Sequence, residues 1–122
     1  MAEELSCTVI FDIMRDEITG GQLESLKRMK GVVVFQVTVD GKVRKVYTID
    51  LRNFPGDVYE GEKEGVKANA VITIDDDNLV KLVLGEIDPV QGFMSSKFKV
   101  RGDILLLQKL NTVLKGARKS LL

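Results

Sequence analysis

The stretch VVFQVTVDGKVRKVYTIDL at residues 33–51 decides the fold class of this chain. Apolar residues recur at every second position before Asp40-Gly41, and a similar alternation follows, which is the pattern of two half-buried strands. An Asp-Gly pair between such runs is a strong signal for a hairpin. A three-residue loop, which pairs Val37 with Val43, is favoured over a two-residue turn because it keeps charged side chains off the apolar face. It gathers on one face Phe35, Val37, Val43, Tyr47 and Ile49.

Helical spacing and turn residues divide the rest of the chain. Apolar residues at helical spacing predict a first helix over Ser6 to Glu17, whose stripe consists of Leu5, Val9, Ile10, Ile13 and Met14. Residues 22–29 predict one or two further helical turns. Further strands are predicted at Asp57–Gly61, Asn69–Ile74 and Lys97–Gly102. Further helices are predicted after Asp75, Asp88 and Asp103, and Gly85 is predicted to end the first of them. The outline is an α+β domain over residues 1–122: one five-stranded mixed sheet, covered on one face by about five helices.

Composition excludes much catalytic and metal chemistry. The 122 residues contain no histidine, and therefore no His-dependent triad and no His-ligated zinc site. The single cysteine, Cys7, has no disulfide partner and no base to activate it, so we expect it to be a packed helix residue. Eighteen basic residues balance eighteen acidic ones, which argues against a nucleic acid partner.

Two charged clusters have a structural and a functional interpretation. The triplet Asp75-Asp76-Asp77 favours capping of a helix, since an EF-hand would need a glycine where Val80 stands. We therefore predict no metal site there. The basic face of the fifth strand favours solvation or protection of a sheet edge. Weak attraction to an anionic membrane surface is the alternative, so transient membrane contact stays open.

The second half of the chain carries more apolar surface than one sheet face obviously needs. The excess lies in residues 79–84, at Phe93-Met94 and in residues 104–114. A deep, fully packed core accounts for it, and so does an internal pocket for an apolar ligand. Composition favours the packed core but leaves both open.

Three further segments carry a resemblance to a known family. They are TIDL at residues 48–51, LGEIDPVQGF at residues 84–93 and KVRGDILLLQKL at residues 99–110. In this order and spacing they closely resemble the sterol carrier protein-2 domain, and in particular the version fused to the peroxisomal multifunctional enzyme of fatty-acid β-oxidation. The resemblance implies a stand-alone, non-catalytic carrier without a cofactor. It would bind fatty acids, fatty acyl-CoA or sterols in an apolar pocket between sheet and helices, and transfer them between membranes or enzymes.

Pocket walls follow from the same resemblance, position by position. They would be Phe35, Val37, Ile72, Leu79, Val83, Phe93, Met94, Phe98, Val100, Ile104 and Leu105. Gln108 matches a polar residue near the pocket of the enzyme-fused relatives, although an exposed helical glutamine explains it equally well. Arg15 and Arg52 are candidates for binding a carboxylate head group. The last helix is a candidate lid. A weak acyl-CoA-processing enzyme and a packed adaptor domain are the competing functions.

Location is predicted from the two ends of the sequence. Residues 1–5 lack the start of a secretory signal, and no apolar run approaches the roughly 18 residues that cross a bilayer. Peroxisomal members of the family end in a small-basic-Leu tripeptide, whereas Ser120-Leu121-Leu122 has no basic residue. We therefore expect a cytoplasmic protein, with peroxisomes as the alternative.

Overall fold

The computed structural model describes residues 6–20 and 30–121, and within them it contains four helices and five strands. The predicted turns at residues 22–29 lie outside the described residues. In chain order the elements are α1 (Ser6–Thr19), β1 (Val32–Val39), β2 (Lys42–Asp50), β3 (Asp57–Glu60), β4 (Ala70–Asp75), α2 (Asp76–Leu84), α3 (Pro89–Met94), β5 (Lys99–Gly102) and α4 (Leu105–Leu121). In these described ranges no helix has both the length and the apolarity that a membrane crossing requires.

The five strands form one mixed sheet in the order β3-β2-β1-β4-β5. Strands β1 and β4 run parallel, and every other neighbouring pair is antiparallel. Apolar residues on one face of β1, β2 and β4 join the buried residues of α1, α2 and α4 in a single core. The predicted α+β fold, a five-stranded sheet with helices on one face, is therefore confirmed.

The register of the β1–β2 hairpin differs from the predicted one. Asp40 and Gly41 both have positive φ (54° and 79°), so they form a tight two-residue turn. The ladder then shifts by one residue, and Val37 faces Lys45 instead of Val43. This bulge returns Tyr47 and Ile49 to the core face, because one extra residue reverses the side-chain alternation. Val43, predicted on the core face, pairs with Thr38 on the opposite face and is 50% exposed.

The buried stripe of α1 also differs from the prediction. Its members lie three, four, seven and eleven positions after the first, and they are Cys7, Ile10, Phe11, Met14 and Ile18. Val9, predicted to belong to the stripe, is 47% exposed. The difference is a rotation of the helix by roughly one residue, which apolar spacing alone does not fix when most positions are apolar.

Side-chain and glycine caps set the ends of the later helices, as the sequence predicts. The Asp75 carboxylate accepts the N–H of Asp77 at the start of α2, and Gly85 ends that helix with a left-handed φ of 85°. Asp88 caps α3 in the same way. The carboxylate of Asp103 accepts the N–H of Leu105 at 3.0 Å, where α4 begins.

The connection from β3 to β4 partly covers the other face of the sheet. It must pass β2 and β1, because β3 and β4 lie on opposite sides of that pair. The Thr48 hydroxyl donates to the Gly61 carbonyl at 2.6 Å, and the Asn69 N–H donates to the Val32 carbonyl at 2.8 Å. Val34 and Thr48 are consequently buried on a face that carries no helix.

Candidate functional site

The predicted pocket walls fall into two groups in the structure. The first group lies in the core between the sheet and the helices, and it consists of Phe35, Val37, Ile72, Leu79, Val83 and Phe98. These side chains come from β1, β4, α2 and the residue before β5, and all are almost inaccessible to solvent. The structure thus brings together residues that are up to 63 positions apart in the sequence.

The second group of predicted walls reaches the surface. Met94 is 75% exposed, Leu105 is 66% exposed and Ile104 is 45% exposed. Gln108, on the first turns of α4, is also exposed. Phe93 and Val100 lie between the two groups, since they are half-buried and pack against the core. The predicted walls therefore extend from the buried core to exposed residues that precede and follow β5 in the chain.

An aromatic cluster fixes α1 to the sheet beside the first group. The Phe11 ring stacks on the Tyr47 ring at 4.2 Å between centroids and meets the edge of Phe35 at 5.3 Å. Burial raises the pKa of the Tyr47 hydroxyl. The predicted walls, which come from the family resemblance, include Phe35 but not Phe11, and the predicted stripe of α1 omits Phe11 as well.

A buried carboxylate holds the first turn of α1. Asp76 lies at the start of α2, yet its side chain accepts the N–H of Cys7 at 2.9 Å and the N–H of Ser6 at 3.3 Å. It therefore supplies the acceptor that the first turn of α1 needs. The acidic triplet is a capping device, as predicted, but it serves two helices instead of one. Within the described residues, no group of three His, Cys, Asp or Glu side chains could hold a metal ion.

The thiol of Cys7 is predicted to be inert in the folded protein. Burial, assisted by the Asp76 charge, raises the pKa of the Cys7 thiol from 9.0 to about 12. An aromatic disulfide reagent should therefore leave the folded chain unmodified at pH 8, whereas guanidinium should expose one reactive thiol per chain. Rapid labelling of the native protein would contradict this result.

The same shift predicts a pH dependence of stability. The folded pKa of Cys7 lies above the unfolded value, so its contribution to the free energy of unfolding is complete below pH 9. We expect that contribution to disappear between pH 9 and about pH 12. A Cys7→Ala variant should therefore lose less stability than the wild type when denaturant melts are recorded across this range.

The two candidate head-group arginines are each occupied by a neighbouring carboxylate. The Arg15 Nη2 lies 2.9 Å from the Asp12 Oδ1 on the exposed side of α1. The Arg52 Nη2 lies 2.7 Å from the Asp50 Oδ2, just after β2. Hydrogen bonds from the Arg52 side chain lower the pKa of Asp50. Both arginines are exposed, and their described ion pairs are with residues two or three positions away in the sequence.

A surface groove between α1 and α2 was not predicted from the sequence. It has a volume of about 360 Å³, and its walls are apolar except for Ser6; they are Ser6, Val9, Ile10, Val80 and Leu84. A second concavity of about 270 Å³ follows the turn between β2 and β3, where Asn53 and Asp57 make it more polar. The signal for the groove was the apolar Val9, which the predicted stripe placed in the core.

The last turns of α4 are held against α2. Val113 and Ala117 are buried, and the Arg118 Nε donates to the Val83 carbonyl at 2.8 Å. The guanidinium lies against Gly85, the glycine that ends α2. A lid formed by this segment, as predicted from the sequence, would have to release that hydrogen bond.

Comparison with known families decides the identity of the fold. Residues 14–115 match the model of the SCP-2 sterol transfer family. The chain belongs to that family. The fold-deciding hairpin, both groups of predicted walls and most of α4 lie within the matched residues.

Two curated relatives show how members of the SCP-2 sterol transfer family occur. Over 116 residues the chain is 34% identical to the mouse peroxisomal multifunctional enzyme type 2, covering 95% of this chain but only 16% of that enzyme. Over 120 residues it is 29% identical to a fatty acid-binding protein of Yarrowia lipolytica, covering 93% of this chain and 92% of that protein. The chain thus corresponds to a small part of one relative and to nearly all of the other.

Solved structures of sterol carrier proteins share the fold. The apo form of sterol carrier protein 2 from Yarrowia lipolytica superposes with a TM-score of 0.80 at 27% identity, over 97% of this chain and 96% of that one. Sterol carrier protein-2 of Aedes aegypti in complex with palmitate superposes with a TM-score of 0.59 at 23% identity, over 84% and 96% of the two chains.

Proposed function

We propose that this chain is a non-catalytic lipid carrier, which binds a fatty acid, a fatty acyl-CoA or a sterol between its sheet and its helices and transfers it between membranes or enzymes. The match of residues 14–115 to the SCP-2 sterol transfer family is the observation that carries the proposal. The fatty acid-binding relative and the palmitate complex of a structural neighbour support a fatty acid as one ligand.

Hydrophobic transfer supplies the driving force in this proposal. Each methylene that leaves water contributes roughly 0.8 kcal/mol, so a fatty acyl chain offsets the cost of ordering ligand and protein. No bond has to be made or broken. The absence of catalysis is part of the proposal, and it is supported by a chain without histidine whose one thiol is buried.

The two groups of predicted walls support a position for the ligand in this proposal. The first group is tightly packed, so a guest must separate side chains of the helical layer from the sheet. Phe93 and Val100 support an entrance beside β5, because they are half-buried and pack against the core, whereas Met94 before β5 and Leu105 after it are exposed. In this arrangement Gln108 lies one turn along α4 from Leu105, where its amide could hydrogen-bond a ligand head group.

Titration with a fluorescent fatty acid tests the carrier and its entrance together. We expect saturable binding, displaced by unlabelled palmitate, palmitoyl-CoA or cholesterol according to which of these the site accepts. A Val100→Lys variant should bind at least about tenfold more weakly, since it places a charge in an apolar wall.

Val71→Lys is the matched control for this variant. Val71 is also half-buried on a strand, but it alternates with the core residue Ile72 and therefore faces the other side of the sheet. It should bind the probe like the wild type once circular dichroism shows that both variants fold. No saturable binding by the wild type would contradict the carrier, and equal losses in both variants would contradict the entrance.

Location remains a proposal from the sequence. We propose the cytoplasm, with peroxisomes as the alternative, and fractionation of cells that express the tagged chain distinguishes the two.

A further inference from the structure

Four regions of the described surface expose large apolar side chains: the turn after β2, where Phe54 is exposed, and three others whose charges differ. The groove between α1 and α2 exposes Val9 and Leu84, and exposed acidic residues such as Asp12 and Asp77 lie on the same two helices. The β1–β2 hairpin exposes Val43 alone, between the exposed Lys42 and Arg44 of β2. The third region lies along β5. It differs from the groove and the hairpin because it combines several exposed apolar residues with a local excess of positive charge.

This third region, here called the β5 edge, is defined by six residues. They are Met94, Lys97, Lys99, Arg101, Ile104 and Leu105. Every one of them is exposed, and β5 is an edge strand of the sheet. Val100 packs against the core, so Lys99 and Arg101, its neighbours on the strand, face solvent on the opposite side.

The charge of the region stands out against a neutral chain. Residues 94–109 contain four basic residues and one acidic residue, a net charge of +3. The remaining 106 residues contain 14 basic and 17 acidic residues, a net charge of −3. The one acidic residue, Asp103, caps α4 with its carboxylate. Positive charge is therefore concentrated where three large apolar side chains are exposed.

We infer that the β5 edge docks the protein on the surface of an anionic phospholipid bilayer. Basic side chains attract the phosphate and carboxylate head groups of such a surface. Met94, Ile104 and Leu105 then enter the region between head groups and acyl chains, as apolar residues of interfacial segments do. The four residues of β5 span about 13 Å, so Met94 before the strand and Leu105 after it flank a short edge strand that carries Lys99 and Arg101.

The inference rests on the proposed function, because docking here would place the entrance beside β5 against the membrane. A lipid could then move between bilayer and protein without crossing water. The α1–α2 groove is a poor alternative, since its acidic surroundings repel the same head groups.

Flotation with phospholipid vesicles tests the docking surface. Vesicles of about three parts phosphatidylcholine to one part phosphatidylserine should carry the protein, and pure phosphatidylcholine vesicles should not. Lys99→Glu/Arg101→Glu should reduce partitioning by about thirtyfold or more. Met94→Ser/Leu105→Ser should reduce it by about tenfold.

Matched controls come from the β1–β2 hairpin. Lys42→Glu/Arg44→Glu makes the same charge change at alternate exposed positions of another strand, and Val43→Ser removes an exposed apolar residue there. Both should partition about as the wild type does. The inference is overturned if the wild type does not bind anionic vesicles, if the β5-edge variants bind normally, or if the hairpin variants lose as much.

Failure of docking can be told apart from failure of the carrier. The fluorescent fatty acid titration is repeated in vesicle-free solution with Lys99→Glu/Arg101→Glu, which should fold and bind the probe like the wild type. Normal probe binding with lost flotation supports docking. If the wild type floats with the vesicles but binds no fatty acid, the carrier function is contradicted, whereas docking of the β5 edge on the bilayer is still supported.

Discussion

Replacement of Phe11 by alanine is expected to lower the free energy of unfolding by about 3–5 kcal/mol. Phe11 is buried, and its ring contacts both Tyr47 and Phe35, so it joins α1 to the two strands of the central hairpin. The substitution removes the ring and leaves a cavity that the sheet cannot close. Equilibrium unfolding in urea, followed by circular dichroism, measures the loss.

A control on the same helix separates packing from helix propensity. Val9→Ala changes an apolar residue of α1 that is largely exposed, so it should alter the free energy of unfolding by less than about 0.5 kcal/mol. The description of the core is wrong if Phe11→Ala costs no more than this control.

The second large effect is expected at Asp76. Asp76→Ala removes the acceptor of two N–H groups at the start of α1 and leaves that of Cys7 buried without a partner, which costs about 2–3 kcal/mol of stability. Asp76→Asn keeps an acceptor oxygen and should lose only part of this. The same urea titrations measure both variants.

The adjacent residue provides the comparison for Asp76. Asp77 is exposed in the first turn of α2, where its charge favours the helix N-terminus by only a few tenths of a kcal/mol up to about 1 kcal/mol. Equal destabilisation by Asp77→Ala and Asp76→Ala would show that the triplet acts through helix charge alone and that the link to α1 contributes nothing.

Local features of the fold were predictable because each depends on neighbouring residues. Asp75, Gly85 and Asp88 mark helix ends through hydrogen bonds and φ angles that span a few positions, and the structure confirms all three. The hairpin register was not predictable in this way. A tight turn with a bulge and a three-residue loop place nearly the same residues on the core face, and they differ by only one exposed valine.

Long-range contacts account for the other differences. The bond from Asp76 to Cys7 joins residues 69 positions apart, and nothing in the local pattern distinguishes Asp76 from Asp75 or Asp77. The predicted walls were apolar, but apolarity does not separate a side chain in a packed core from one at a surface. Phe35 and Leu105 are both large apolar residues, yet Phe35 is 1% exposed and Leu105 is 66% exposed.

Direct detection of bound lipid tests the central claim. The purified recombinant protein, with protein-free buffer taken through the same steps as the blank, is extracted with organic solvent, and the extract is analysed by mass spectrometry. A carrier of the proposed kind should release fatty acid in an amount comparable to the protein. An extract that matches the blank, from a folded protein that also takes up no added fatty acid, would contradict the account.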